Sequence, residues 1–122
     1  MPSEPDIAAF FAGDPLGLAV HARVLELLAP LGEPEVRVTK SQVAYRHRVA
    51  FAWTWLPSAW LRHAEGVVVL SLALPYEDGS PRWKEVVHPA RAKWMHHLEL
   101  RDVVELDDEV ATWLAAAWDA AG

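Results

Sequence analysis

Residues 67–74 read Val-Val-Val-Leu-Ser-Leu-Ala-Leu, and this apolar stretch sets the centre of the predicted fold. It is apolar at both alternating sets of positions, which is typical of a strand that is buried on both faces. The stretch is far too short to cross a bilayer as a helix, which needs about 20 residues. We therefore predict a central β-strand, preceded by Gly66 and followed by a turn around Asp78-Gly79.

Shorter segments on either side of this strand also alternate in polarity. Residues 36–40, 43–49 and 51–55 alternate before it, and residues 94–100 alternate after it. Residues 83–89 fit a short strand, a helical turn or a loop equally well. Because the connections are short, we expect a mostly antiparallel sheet of about four to five strands.

Both ends of the chain carry helix signals. Asp14-Pro15 is typical of an N-cap followed by a first helical residue, and Asp107 is a second candidate N-cap. The apolar stripe after Asp107 comprises Val110, Trp113, Leu114, Ala117, Trp118 and Ala121. Strands between terminal helices predict one α+β domain over residues 1–122, with the sheet packed against N-terminal and C-terminal helices.

Charge is segregated along the chain. Residues 36–101 hold ten of the eleven Lys and Arg residues against five acidic ones, together with five of the seven Trp. Their net charge is +5, whereas residues 1–35 carry −5 and residues 102–122 carry −6. We expect an acidic helical layer on a basic, aromatic-rich sheet, and we look for a ligand on that sheet.

Composition narrows the class of protein. The chain has no cysteine, which excludes disulfides, thiolate catalysis and Cys-based zinc sites and fits a reducing cytoplasm. Its first residues are acidic where a signal peptide would be basic. We expect a soluble cytoplasmic protein that does not enter membranes, and the net charge of −6 disfavours general nucleic-acid binding.

Several motifs, taken in order, carry a family resemblance. They are Lys40 ending the first strand, Arg46 and Phe51 around the aromatic strand, the apolar strand 67–74, Pro81-Arg82, His96-His97-Leu98, and Leu106-Asp107-x-Glu109-x-x-x-Trp113-Leu114 in the last helix. Over roughly residues 6–120 the chain resembles the bacterial and archaeal family called domain of unknown function 5655. In that family the last helix usually ends in Ala-Tyr, whereas here it has Ala117-Trp118. No reaction is established for the family, so the resemblance implies a fold and no activity.

Cations and aromatic residues of the middle segment are the candidate ligand-binding groups. Lys40 either ends its strand with its ammonium in water or anchors a carboxylate or phosphate. The residues Phe51, Trp53 and Trp55 form a stripe that is either core or the wall of a pocket. The predicted ligand-binding set is Lys40, Tyr45, Arg46, Trp60, Trp83, Arg91, Trp94 and His96.

The pair His96-His97 does not form a metal site by itself. Adjacent residues on a strand point to opposite faces, so the two rings cannot chelate one ion without a bulge. The alternation places His96 inward, where a histidine bonded to backbone is the ordinary case. We expect no bound metal, no cofactor and no assigned catalytic residue.

The favoured function is a non-catalytic binding module for a small anionic or aromatic ligand. One alternative is an enzyme of unknown reaction that uses His96 or His97 with Lys40. A second is a nucleic-acid-associated domain whose aromatics stack on bases. A third is a homodimer, because seven Trp residues exceed what a small core readily hides.

Overall fold

The computed structural model describes residues 4–57 and 66–122. In these ranges the α-helices are α1 (Glu4–Phe10), α2 (Pro15–Leu28) and α3 (Asp108–Ala120). The β-strands are β1 (Glu35–Val38), β2 (Val43–Arg46), β3 (Ala50–Trp55), β4 (Val68–Leu74), β5 (Glu85–Ala90) and β6 (Lys93–Leu100). A 3-10 turn, Val103–Glu105, precedes α3.

The strands form one antiparallel sheet in the order β1-β2-β3-β4-β6-β5. The apolar strand β4 lies between β3 and β6, as predicted for a central strand. The α+β class is confirmed, but the described residues form six strands rather than four to five. The additional strand is β5, an edge strand whose residues are mostly exposed and include Pro89, so its sequence does not alternate.

Both predicted N-caps are confirmed. Asp14 accepts a hydrogen bond from the backbone N–H of Gly17 at 2.8 Å, and Asp107 accepts one from Val110 at 3.2 Å. These bonds satisfy amides that have no partner within the helix. None of the helices in the described ranges is long and apolar enough to span a membrane.

One face of the sheet, called the core face below, is covered by the helices. The neighbouring residues Tyr45, Ala52, Leu72 and His96 run across it in register, and each is fully buried. They share one cluster with apolar side chains of α2 and α3 such as Val24. Burial of a continuous apolar layer of this kind is the main source of the domain's stability.

The opposite face, called the open face below, carries the alternate residues of the strands. One row in register comprises Arg37, Ala44, Trp53, Ser71, His97 and Glu85. Trp55 and Met95 lie on the same face by alternation. Both are only partly buried, as are Trp53 and His97.

A β-bulge between β2 and β3 divides the predicted aromatic stripe. The register shifts where Tyr45 pairs with Ala52 and Arg46 pairs with Ala50, which leaves Phe51 as the extra residue. Phe51 is fully buried and meets Trp118 edge-on, with ring centroids 5.6 Å apart. The stripe is therefore core at its first residue only, because its two Trp residues lie on the open face.

Candidate functional site

A concave pocket of about 410 Å³ lies where the C-terminal end of α3 meets the β2–β3 and β5–β6 turns. Its walls are Val49, Ala50, Phe51, Trp53, Ala73, Leu74, Pro75, Ala92, Lys93, Ala117, Ala120 and Ala121. Six of these twelve residues are alanines, and their short side chains leave the space unfilled. The volume lies within the range of small-molecule sites, about 300–1,000 Å³.

Lys93 supplies the charge of this pocket. It is the one ionisable residue among the wall residues, and its Nζ lies 5.6 Å from the centroid of the Trp53 ring. That distance is within the range of cation–π attraction, about 6 Å. Lys93 forms no salt bridge with any carboxylate in the described part of the chain. Its ammonium is therefore free to pair with an anion.

The negative end of the α3 dipole does not cancel this charge. The backbone N–H groups of Arg48 and Val49 donate to the carbonyl of Ala121 at 2.9 and 3.1 Å. Nδ1 of His47 lies 2.9 Å from the carbonyl oxygen of Trp118, and the two rings stack with centroids 3.6 Å apart. Donors therefore pair with these two carbonyls at the end of the helix.

A chain of three side chains lies on the open face, and we call it the Trp55–Ser71–His97 chain. The indole Nε1–H of Trp55 donates to Ser71 Oγ at 2.9 Å, and that oxygen lies 2.7 Å from Nδ1 of His97. Because an indole N–H can only donate, the Ser71 hydroxyl keeps its own proton and can donate it to Nδ1 of neutral His97. Burial lowers the pKa of His97, while the carboxylate of Glu85 opposes that shift and His96 adds to it.

The distance between Ser71 and His97 matches that of a nucleophile–base pair, but the Ser71 hydroxyl is not accessible to a substrate. Ser71 is only 2% exposed, since it lies in register between Trp53 and His97. A nucleophile needs to reach a substrate carbon, whereas Ser71 Oγ is already held between an indole and an imidazole. The arrangement orders the side chains of the open face, and its hydroxyl is buried.

The predicted site residue His96 faces the core, as the alternation indicates. Its Nε2 accepts the backbone N–H of Asp78 at 2.9 Å, and its Nδ1 lies 3.0 Å from the carbonyl oxygen of Trp94. The ring is fully buried. Both ring nitrogens are therefore occupied by backbone groups, and the imidazole has none left for a ligand.

Two further predicted site residues also belong to the core. Trp83 is 8% exposed, donates to Asp78 Oδ2 at 2.8 Å and packs against Trp113 with ring centroids 4.1 Å apart. Tyr45 is fully buried, with its hydroxyl 2.7 Å from His21 Nδ1 and 3.2 Å from Thr54 Oγ1. Burial raises the pKa of Tyr45, so the phenol stays protonated and is a structural group.

The structure does not bring the predicted cations together. Lys40 is exposed between β1 and β2, and Arg91 is exposed between β5 and β6. Even β2 and β6 are three strand spacings apart, about 14 Å, so Lys40 is also far from His96. Arg46 lies 3.5 Å from the carboxylate of Glu35.

Trp94, the remaining predicted residue within the described ranges, is not a wall residue of the pocket. The ring of Trp94 stacks on His88, with centroids 3.6 Å apart. Trp60 lies outside the described residues. No group of three or more His, Asp or Glu residues in the described ranges is placed to hold a metal ion.

Sequence reasoning missed Lys93 and gave Trp53 no place in the binding set. The order β3-β4-β6 brings these residues together although they are forty positions apart in the chain. The only signal in the sequence was the phase of β6, which places Lys93 on the same face as Met95 and His97.

Comparison with known proteins identifies the family of this chain. The model of the family described as Domain of unknown function (DUF5655) matches residues 7–121. No curated protein and no solved structure shows a significant match. The match spans nearly the whole domain, including the pocket and the open face, and the resemblance inferred from the motifs is confirmed. The chain belongs to the family of domain of unknown function 5655.

Proposed function

We propose that this domain is a non-catalytic binding module, and that its pocket takes a small anionic ligand with an aromatic or apolar body. The observation that supports this most directly is the unpaired Lys93 ammonium beside the Trp53 ring, in a pocket whose other wall residues carry no charge. A reducing compartment, the cytoplasm, suits a chain without cysteine.

The chemistry of the walls defines the ligand class. The alanine and aromatic surfaces favour a flat apolar body, because burying such a body removes apolar surface from water. The ammonium of Lys93 favours a carboxylate or a phosphate near the pocket mouth. A benzoate-like acid combines these features, while a polyanion would exceed the single positive charge.

The test is a titration of the protein with benzoate-like acids and with their neutral amides, followed by tryptophan fluorescence. We expect the acids to change the emission of Trp53 with saturation and the amides to bind about tenfold more weakly. Lys93→Met should remove that preference. Lys84→Met is the matched control, since Lys84 is exposed and is not a wall residue.

Two results would contradict the proposal. One is a flat fluorescence response to every acid, confirmed by calorimetry. The other is binding that Lys93→Met leaves unchanged, which would locate the ligand elsewhere in the molecule.

A further inference from the structure

One row of residues across the open face would be complementary to a second copy of the same row read in the opposite direction. From one sheet edge to the other it reads Arg37, Ala44, Trp53, Ser71, His97, Glu85. Reversed onto itself, the row places each large side chain opposite a small one and the positive end opposite the negative end. Three strands lie on each side of its midpoint, between β3 and β4.

The two edges of the sheet at the ends of this row carry opposite net charge. Arg37 and Arg46 both lie near one carboxylate oxygen of Glu35, at 2.6 and 3.5 Å, so this edge carries one excess positive charge. At the other edge Glu85 forms no salt bridge with any described residue. An arginine and a carboxylate that face each other across an interface attract and fix its register.

Apolar surface lies between these charges. Trp53, Trp55 and Met95 are only partly buried, and Val87 at the β5 edge is 42% exposed. The described helices pack on the core face, so within the described ranges they do not cover these side chains.

We propose that the open face binds a second copy of this chain about a two-fold axis that runs parallel to the strands between β3 and β4. Sheets that pack face to face lie about 10 Å apart with their strands within about 30° of each other. In that arrangement Arg37 of one copy faces Glu85 of the other, and Trp53 faces Ser71. The same contacts occur twice, as a closed two-fold interface requires.

Charge reversal tests the interface. Light scattering over a range of concentrations should give twice the 13.6 kDa mass of one chain. Arg37→Glu and Glu85→Arg should each weaken the dimer about tenfold or more, and the double reversal should restore it to within about threefold. Glu26→Lys is the control and should leave the dimer unchanged, because Glu26 is exposed on α2, which packs on the core face.

Cross-linking tests the orientation of the axis, because the chain has no cysteine of its own. The two copies of position 37 would lie about 24 Å apart across the sheet, five strand spacings. A short bismaleimide should therefore join Arg37→Cys chains to Glu85→Cys chains in an equal mixture and should join neither variant to itself. Cross-linking of Arg37→Cys to itself would contradict the proposed axis.

A chain that stays monomeric at every concentration would overturn the proposal. So would a monomer that binds a single-stranded oligonucleotide through Trp53 and Trp55, since that result would assign the open face to nucleic acid. Trp53 belongs to both surfaces, but the ligand proposal is judged by the effect of Lys93→Met and the dimer proposal by the effects of the Arg37 and Glu85 variants. The two proposals therefore fail separately.

Discussion

The guanidinium of Arg82 joins the β4–β5 connection to the start of α3 through Asp107. Its Nη1 lies 3.0 and 3.1 Å from the two carboxylate oxygens of Asp107 and 2.8 Å from Glu109, and its Nη2 donates to the carbonyl of Glu105 at 2.9 Å. The guanidinium carbon also lies 5.6 Å from the centroid of the Trp113 ring. One cation thus offsets part of the negative charge at the acidic start of the helix.

Arg82→Met should lower the free energy of unfolding by about 1–2 kcal/mol, because it leaves these acidic groups and a carbonyl without their donor. Denaturant unfolding measures the change. The control is Arg91→Met, an exposed position in the β5–β6 turn, which should stay within about 0.5 kcal/mol of the parent. Equal losses in the two variants would show that the Arg82 contacts contribute nothing specific.

The same contact has a defined pH dependence. The hydrogen bond from Arg82 holds the pKa of Asp107 below its ordinary value. A lowered carboxyl pKa stabilises the folded state above the unfolded pKa, about 3.9, and that gain is lost as the pH falls through the folded pKa. The difference in stability between the parent and Arg82→Met should therefore be constant from about pH 5 to pH 8 and shrink below about pH 4.

The charge segregation read from the sequence has its explanation in contacts of this kind. Acidic residues of the terminal segments pair with some of the cations of the basic middle segment. Asp107 pairs with Arg82 in this way, and Glu35 pairs with Arg37. Composition predicted the two layers. It did not predict which cation would stay unpaired, because that depends on which strands and helix ends meet.

Local signals predicted the elements they belong to. Asp14 and Asp107 mark their helices because a cap acts within three residues along the chain. The apolar run in β4 marks a central strand because burial on both faces excludes polar side chains. β5 gave no such signal, since an exposed edge strand places few demands on its residues.

The site depended on long-range geometry. Alternation gives the face of each residue along a strand but neither the order of strands nor a bulge. The neighbour relation of Lys93 and Trp53 follows from the order β3-β4-β6, and the inward turn of Phe51 follows from the bulge. The pocket could therefore not be located from the sequence.

The His97 imidazole should titrate below its ordinary value of 6.5, since burial lowers its pKa. The unfolded chain then binds the proton first, so the free energy of unfolding should fall as the pH drops below about 6.5 and level off below the folded pKa. His97→Gln should reduce this slope. The buried ring of His21, whose pKa is also lowered, contributes in the same direction.

Nuclear magnetic resonance of the ring protons measures the His97 pKa directly, and the emission of Trp55 should change with the same midpoint because the two side chains share Ser71. His88→Gln is the control, because His88 is exposed. A midpoint at or above 6.5 for His97 would be incompatible with the burial on which this prediction depends.

Filling the pocket should abolish ligand binding without unfolding the domain. Ala120 is an exposed wall residue at the end of α3, and Ala120→Phe would place a ring where the ligand body is proposed to lie. We expect at least about a tenfold loss of affinity for the benzoate-like acid, with stability within about 0.5 kcal/mol of the parent. Ala22→Phe on α2, also exposed, is the matched control. Unchanged affinity in Ala120→Phe would place the ligand outside this pocket.

Gly17 is fixed by the packing of Phe11, the residue after α1, against α2 rather than by backbone freedom. A Cβ built on Gly17 would overlap the ring of Phe11, which is fully buried. Glycine inside a helix ordinarily costs about 0.5–1 kcal/mol relative to alanine, so Gly17→Ala would stabilise an unobstructed helix. Here the overlap should outweigh that gain, and we expect the free energy of unfolding to fall by about 1–3 kcal/mol.

A second substitution distinguishes this overlap from other causes. Phe11→Leu costs apolar contact on its own, but it opens space beside position 17. In the Phe11→Leu background the Gly17→Ala change should therefore cost at least about 1 kcal/mol less than in the parent, a coupling that a double-mutant cycle measures. Gly79→Ala, where a Cβ would meet nothing within 4 Å, is the control and should be nearly neutral. A Gly17→Ala variant more stable than the parent would show that the Phe11 ring moves aside without cost.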